Sequence, residues 1–222
     1  MEYLPVSLNL KNKQCALIGA GNVAFRKLKH LINAGAKVTI ISPEFDTDVI
    51  ELAQQHHFTM LQIKVTSEHL RKFDLVICAT SDQAVNQQVS EICQAANIWV
   101  NVVDDLKHSS FILPAVVDRS PLLITISSSG ISPVLARMIR EKLEWLLPKK
   151  LSSILTKLKT LRPVIKSNLA TLTERRKFSE WFLERAFNEA IPNMETASQS
   201  LDRFTHSVKP SKGKVTLVGA GP

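Results

Sequence analysis

Gln14-Cys15-Ala16-Leu17-Ile18-Gly19-Ala20-Gly21-Asn22-Val23-Ala24 is the stretch whose reading decides the fold. Cys15–Ile18 is a short apolar run of the kind that forms a buried strand. Gly19 permits a tight turn after it. Gly21 lacks the Cβ that would hold the backbone away from a pyrophosphate. Ala24 takes the third small position, where a helix must lie close against a strand. The helix that opens at Asn22 offers free N–H groups and the positive end of its dipole to an anion.

The chain around this turn supplies the context it needs. Val23, Leu28, Leu31 and Ile32 space a helix over 22–34, ended by Gly35 at the C′ position. Lys37–Ile41 is a β-branched run, so strand, glycine turn, helix and strand complete a βαβ unit. Helices are expected over Thr47–His57 and Gln83–Ala96, the second capped by Asp82. Extended runs are expected at Met60–Val65, Leu75–Ala79 and Trp99–Val103. Leu75–Ala79 is apolar throughout, as befits a strand covered on both faces. This alternation predicts an α/β fold with a Rossmann-type, doubly wound parallel sheet as a dinucleotide-binding domain over 1–113. Its ligand belongs at the carboxyl ends of the strands. Gly19, Gly21, Asn22, Val23, Thr80, Asn101 and Val102 are therefore candidate cofactor contacts.

The second strand departs from the usual pattern. The ribose-binding carboxylate should fall about twenty residues past the glycines. That position is Ser42, followed by Pro43 and Glu44. There is neither an acid at the expected place nor an arginine to mark a 2′-phosphate, so NAD and NADP both stay open. Ser42, Pro43 and Glu44 are expected to line the adenosine end, with Glu44 as a ribose partner.

After the sheet the character changes. Phe111–Val117 and Leu122–Ser127 read as a hairpin turned by Asp118-Arg119-Ser120-Pro121. Ser132-Pro133 is a helix start, and that helix runs to Pro148. These elements form an expected small α+β segment over 114–147. A basic helical domain is expected over 148–205, broken near Arg162-Pro163. Residues 206–222 read as a linker and the first strand and glycine turn of a further domain.

The formal net charge is +8 over 222 residues. Residues 137–177 alone carry twelve Lys/Arg against three Glu, so the remainder is nearly neutral. A local excess of that size suits a nucleic acid, an acidic surface or a polyanionic small molecule. No run is long enough to span a membrane, and the N-terminus has no signal-peptide pattern, which implies a cytoplasmic protein. Three scattered cysteines and six scattered histidines make no metal-ligand spacing, so no metal site is expected.

Asn101-Val102-Val103-Asp104-Asp105 ends the last strand on the nicotinamide side. An aspartate there can act as a general base beside a hydride acceptor. Asp104 follows the strand most closely and is favoured over Asp105. Ser127–Ser129, at a helix N-terminus, could hold an anion.

Together these residues resemble the dehydrogenase–ferrochelatase module of the siroheme synthase family. The resemblance rests on Gly19–Ala24 with Arg26-Lys27, on Ala79-Thr80 and on Asn101–Asp104. It also rests on Phe111–Ala115, Asp118–Leu122 and Ser132–Arg137, which are not general features of dinucleotide-binding sheets. It implies oxidation of precorrin-2 to sirohydrochlorin with NAD, then insertion of Fe2+ to give siroheme, with Asp104 serving both steps. It implies a homodimer, with 114–147 as the dimerisation segment and with neither nucleic acid nor membrane as partner. The ring carries many carboxylates, which would give the basic segment its purpose. Ser128 aligns with a serine phosphorylated in the fused enzymes, and Ser128 and Arg137 are candidate substrate-binding or regulatory residues. The ending at 215–222 resembles the start of a methyltransferase domain. Two other readings compete: an NAD(H)-sensing regulator whose basic helices bind nucleic acid, and an ordinary dehydrogenase of a small acid.

Overall fold

The structure is a computed structural model, and it describes residues 2–188 and 196–207. The strand and second glycine turn expected at 213–222 lie outside the described residues. The chain divides into two compact units, Met1–Ala115 with Ile126–Met138 and Val116–Thr125 with Ile139–Pro222.

The first unit is a parallel sheet of five strands: β1 (Gln14–Ile18), β2 (Lys37–Ile41), β3 (Thr59–Leu61), β4 (Leu75–Cys78) and β5 (Trp99–Val102), in the order β3-β2-β1-β4-β5. Helices α1 (Asn22–Asn33), α2 (Thr47–Gln55), α3 (Ser67–Leu70) and α4 (Gln83–Ala95) make the crossovers. Successive residues of a strand face opposite sides, and β1 shows it. Cys15 and Leu17 join the core under α1 and α2, with Leu28, Leu31 and Val49. Ala16 and Ile18 join the core under α3 and α4, with Leu70, Val89 and Cys93. This is the doubly wound fold that the alternation of elements predicts.

Local chemistry sets the element ends. Gly35 has φ +72°, its N–H donates to Ile32 O at 2.9 Å, and Ala36 N–H donates to Leu31 O at 3.1 Å. Those two bonds close α1 in a Schellman motif. Asp82 Oδ1 accepts from the N–H groups of Ala84 and Val85 at 2.9 and 3.2 Å and caps α4. The strand expected at Met60–Val65 is shorter. Ser42 N–H donates to Leu61 O at 3.2 Å and ends the ladder there. Ile63, Lys64 and Val65 instead border a cleft at the strands' carboxyl ends.

Strands β6 (Ala115–Arg119) and β7 (Leu122–Ile126) form the expected hairpin, but its first strand begins four residues later than the sequence suggests. Phe111 is held elsewhere, its carbonyl accepting from Asn101 Nδ2 at 2.9 Å. The turn is also tighter. Asp118 and Arg119 stay in the strand, and the chain reverses at Ser120-Pro121, a cis peptide. Asp118 Oδ1 accepts from Ser120 N–H at 2.8 Å. Helix α5 (Pro133–Leu146) follows.

The second unit has its own core under α6 (Leu151–Asn168), α7 (Leu172–Asn188) and α8 (Ala197–Ser207). Phe178 and Phe182 are fully buried, and Phe178 meets Phe204 edge-on at 5.2 Å. The break expected at Pro163 does not occur, and α6 runs through it. An internal proline leaves the carbonyl of Lys159 without its donor and costs about 3 kcal/mol. Leu161 and Ile165 on either side are both buried in the core, and that packing carries the helix across. No helix of the described residues is long and apolar enough to cross a membrane.

The glycine turn is the position where sequence and packing agree most sharply. Gly19 has φ +96°, and a Cβ there would stand 2.7 Å from the Ala79 carbonyl oxygen. We expect Gly19→Ala to destabilise the first unit by about 1–3 kcal/mol and to abolish dinucleotide binding. Thermal unfolding and NADH fluorescence titration check the two effects.

Candidate functional site

A cleft of about 690 Å³ opens at the carboxyl ends of the first unit's strands, beside the point where the winding reverses between β1 and β4. Gly19, Gly21, Asn22 and Val23 line its floor. Gly21 is the N-cap of α1 and no side chain caps that helix. The first free backbone donor of α1 to find an intrahelical acceptor is Phe25, at 2.9 Å from Gly21 O. The N–H groups before it are open at the positive end of the helix dipole. A Cβ on Gly21 would meet nothing nearer than the Asp46 carboxylate at 3.7 Å. The space it leaves belongs to the cleft. This cradle fits a pyrophosphate, bound by backbone groups and not by cations.

At one end, Ser42, Pro43 and Glu44 line the cleft, with Ser42 buried and Glu44 exposed. Asp46 also lines it and was not singled out from the sequence. It falls beyond the usual offset, yet its N–H donates to Ala20 O at 3.0 Å, which draws it back beside the glycine turn. Its position immediately before α2 was the available signal, since an aspartate before a helix marks a cap; here its side chain makes no capping bond. The lining carries four carboxylates, Glu44, Asp46, Asp82 and Asp104, against one lysine, Lys64.

At the other end stands Asp104. Asp105 N–H donates to Val102 O at 3.2 Å, closing a four-residue turn with Asp104 in its third place at φ +60°. That backbone region favours glycine and asparagine. Several bonds tie the loop after it to β5. Ser109 Oγ accepts from Val102 N–H at 2.9 Å and donates to Asp105 O at 2.7 Å. Ser110 Oγ accepts from Val100 N–H at 2.8 Å. Asp105 Oδ2 meets His108 Nδ1 at 2.6 Å, and that bond holds the Asp105 carboxyl below its ordinary range. The Asp104 carboxylate is exposed and lines the cleft.

Asn101 and Val102, expected as cofactor contacts, are buried and do not border the cleft. They serve the loop that presents Asp104, through Phe111 O and Ser109. Thr80 does border the cleft. Its Oγ1 donates to Asn86 Oδ1 at 2.7 Å, and Asn86 Nδ2 donates back to Thr80 O at 3.1 Å. Asn86 was not legible from sequence, because its role depends on the turn packing onto the first coils of α4.

Ser128 sits in a loop that reaches Leu106, two residues past Asp104: a Cβ on Gly130 would be 2.2 Å from Leu106 Cδ1. Ser128 Oγ accepts from Ser132 N–H at 2.9 Å and orders the loop before α5, whose start is capped by Ser132 Oγ, accepting from Leu135 N–H at 3.2 Å. Arg137 is exposed on α5. Neither borders the cleft. Part of the basic excess is structural. Arg175 donates to the carbonyls of Leu169, Lys166 and Ala170 at 2.8, 3.3 and 3.2 Å and covers the end of α6. All three cysteines are free and buried, and burial pushes the Cys15, Cys78 and Cys93 thiols up to about 11, 12 and 11. Among the described residues no cluster of three or more His, Cys, Asp or Glu could hold a metal ion.

The chain is similar to known proteins over both of its parts. Residues 6–115 match the family "Putative NAD(P)-binding", and residues 119–145 match "Sirohaem biosynthesis protein central". The whole chain is 39% identical to a siroheme synthase of Pseudoalteromonas translucida, covering 47% of that protein. It is 42% identical to siroheme synthase 3 of Aeromonas hydrophila, covering 48%. The chain thus spans about half the length of the curated relatives it matches. Among solved structures, "SirC, precorrin-2 dehydrogenase" superposes with a TM-score of 0.71 at 22% identity, over 92% of this chain and 100% of that one. At that identity the likeness shows the fold.

The left-handed backbone at Asp104 separates strain from chemistry. Glycine tolerates φ +60° and alanine does not, so we expect Asp104→Gly to be more stable than Asp104→Ala by about 1 kcal/mol. Thermal melts of the two variants, which both lack the carboxylate, measure the difference.

Proposed function

We propose that the chain is a member of the siroheme synthase family, which it matches over its whole length at about 40% identity, and that it oxidises precorrin-2 to sirohydrochlorin with NAD and then inserts Fe2+, its second substrate, to give siroheme. The observation that carries this reading is one cleft with an uncapped helix N-terminus at its floor and a strained, exposed Asp104 at its rim. Backbone strain at a site is a mark of function when the surrounding structure over-determines it, and the serine and histidine bonds around Asp104 do so.

Bound NAD supplies the acceptor for a hydride leaving the ring. The α1 N–H groups hold its pyrophosphate, and Gly19 keeps β1 and β4 close enough to form the cradle. Glu44 and Asp46 bind ribose hydroxyls. Their charge repels a 2′-phosphate, which favours NAD over NADP. Asp104 accepts the proton that leaves the ring as the hydride departs. In chelation the same carboxylate takes pyrrole N–H protons as Fe2+ enters.

The exposed lysines and arginines of α5–α7 attract the polycarboxylate ring at long range. Helix α5 leaves Val134, Leu135, Met138, Trp145 and Leu146 exposed, Trp145 at 89%. An apolar stripe of that extent supports a homodimer formed through this helix. Three buried, unpaired thiols suit the reducing cytoplasm.

Anaerobic incubation with precorrin-2 tests the reading. We expect NADH to form in step with sirohydrochlorin, NADP to support a slower rate, and Asp104→Ala to lose at least about 10²-fold in turnover. No tetrapyrrole-dependent NADH formation by the wild type would refute the assignment.

A further inference from the structure

Neither the fold nor the cradle accounts for Lys27. It lies on α1 four residues past Val23, which borders the cleft, so the two share a face of the helix about 6 Å apart along its axis. Its helical neighbours Ala24, Leu28 and Leu31 enter a core that also takes in Val103 and Phe111, on either side of the Asp104 loop. Helix α1 and that loop therefore cover the same side of the sheet. Lys27 is half-buried, and among the described residues its ammonium makes no hydrogen bond or ion pair. Arg26 adjoins it, while Lys29 turns away and lies over the Phe25 ring at 4.1 Å. Burial, and then the Arg26 charge, hold the Lys27 ammonium below its ordinary range, and the Asp104 carboxylate acts against them.

A partly dehydrated ammonium without a partner is unfavourable, and a carboxylate brought to it regains the lost hydrogen bonds with charge assistance. A polycarboxylate ring that approaches Asp104 meets the opposite difficulty, since like charges repel. A cation within electrostatic reach of Asp104, as Lys27 is, offsets both, although Lys27 itself does not border the cleft. The dinucleotide phosphates do not need Lys27, because the N–H groups of the preceding turn serve them.

We propose that Lys27 binds a ring carboxylate of the tetrapyrrole and so holds the polyanion's edge against Asp104. This rests on the reading of the cleft as a tetrapyrrole dehydrogenase site. The test compares wild type, Lys27→Met and Lys27→Arg in anaerobic absorbance titrations with sirohydrochlorin and fluorescence titrations with NADH. Lys27→Met keeps the apolar stem and removes the charge. Its Kd for sirohydrochlorin should rise about tenfold or more, with NADH affinity unchanged and the melting temperature no lower than that of the wild type, and Lys27→Arg should restore most of the loss. Wild-type tetrapyrrole affinity in Lys27→Met overturns the proposal, as does an equal loss of NADH affinity, which would assign Lys27 to the cradle. A wild-type chain that binds NADH but not sirohydrochlorin refutes the tetrapyrrole reading itself.

Discussion

Between the turn after β1 and the end of β4 there is room for a hydrogen atom and no more. A Cβ on Gly19 would stand 2.7 Å from Ala79 O, and Ala79 N–H donates to Ile18 O at 2.8 Å. This close approach is the constraint on which the site depends. It sets the central strand pair, fixes where α1 can begin, and leaves that helix pointing its unbonded N–H groups across the switch in winding direction. The rest of the sheet repeats one simple rule, apolar residues on both faces of short strands. The switch is where that rule stops and backbone geometry takes over.

The reactive end is built by another device. Asp104 occupies left-handed backbone that few residues with a side chain adopt, and the loop behind it is bonded to β5 through Ser109 and Ser110 and closed by the Asp105–His108 pair. A carboxylate on a loop tied this way projects from a fixed backbone. In this acid-rich lining the open backbone N–H groups of α1 are the donors that suit a pyrophosphate, and on the proposed reading a nearby cation offsets the repulsion of an anionic substrate.

Much of this was legible in the residues. Gly19, Gly35 and Asp82 each announce themselves, because one turn, one helix end and one cap require those residue types in that order. The doubly wound parallel sheet followed from the alternation of strands and helices. What was hidden depends on contacts remote in sequence. Asp46 is drawn to the glycine turn by a backbone bond to Ala20. Asn86 matters only because the β4 turn folds onto α4. Asn101 and Val102 look like cofactor contacts from their place at a strand end, yet they face inward. Pro163 reads as a helix breaker, but the burial of Leu161 and Ile165 outweighs one lost bond. Those readings failed where tertiary packing overrides a local preference.

The bare start of α1 has a consequence for the protein's stability. A helix without a cap is an unfinished helix, and whatever anion docks there becomes its missing piece. The first unit's resistance to unfolding then rises with the supply of that anion, by about 2.7 kcal/mol at a hundredfold excess over its Kd. Without such an anion the first unit forgoes that contribution and opens more often.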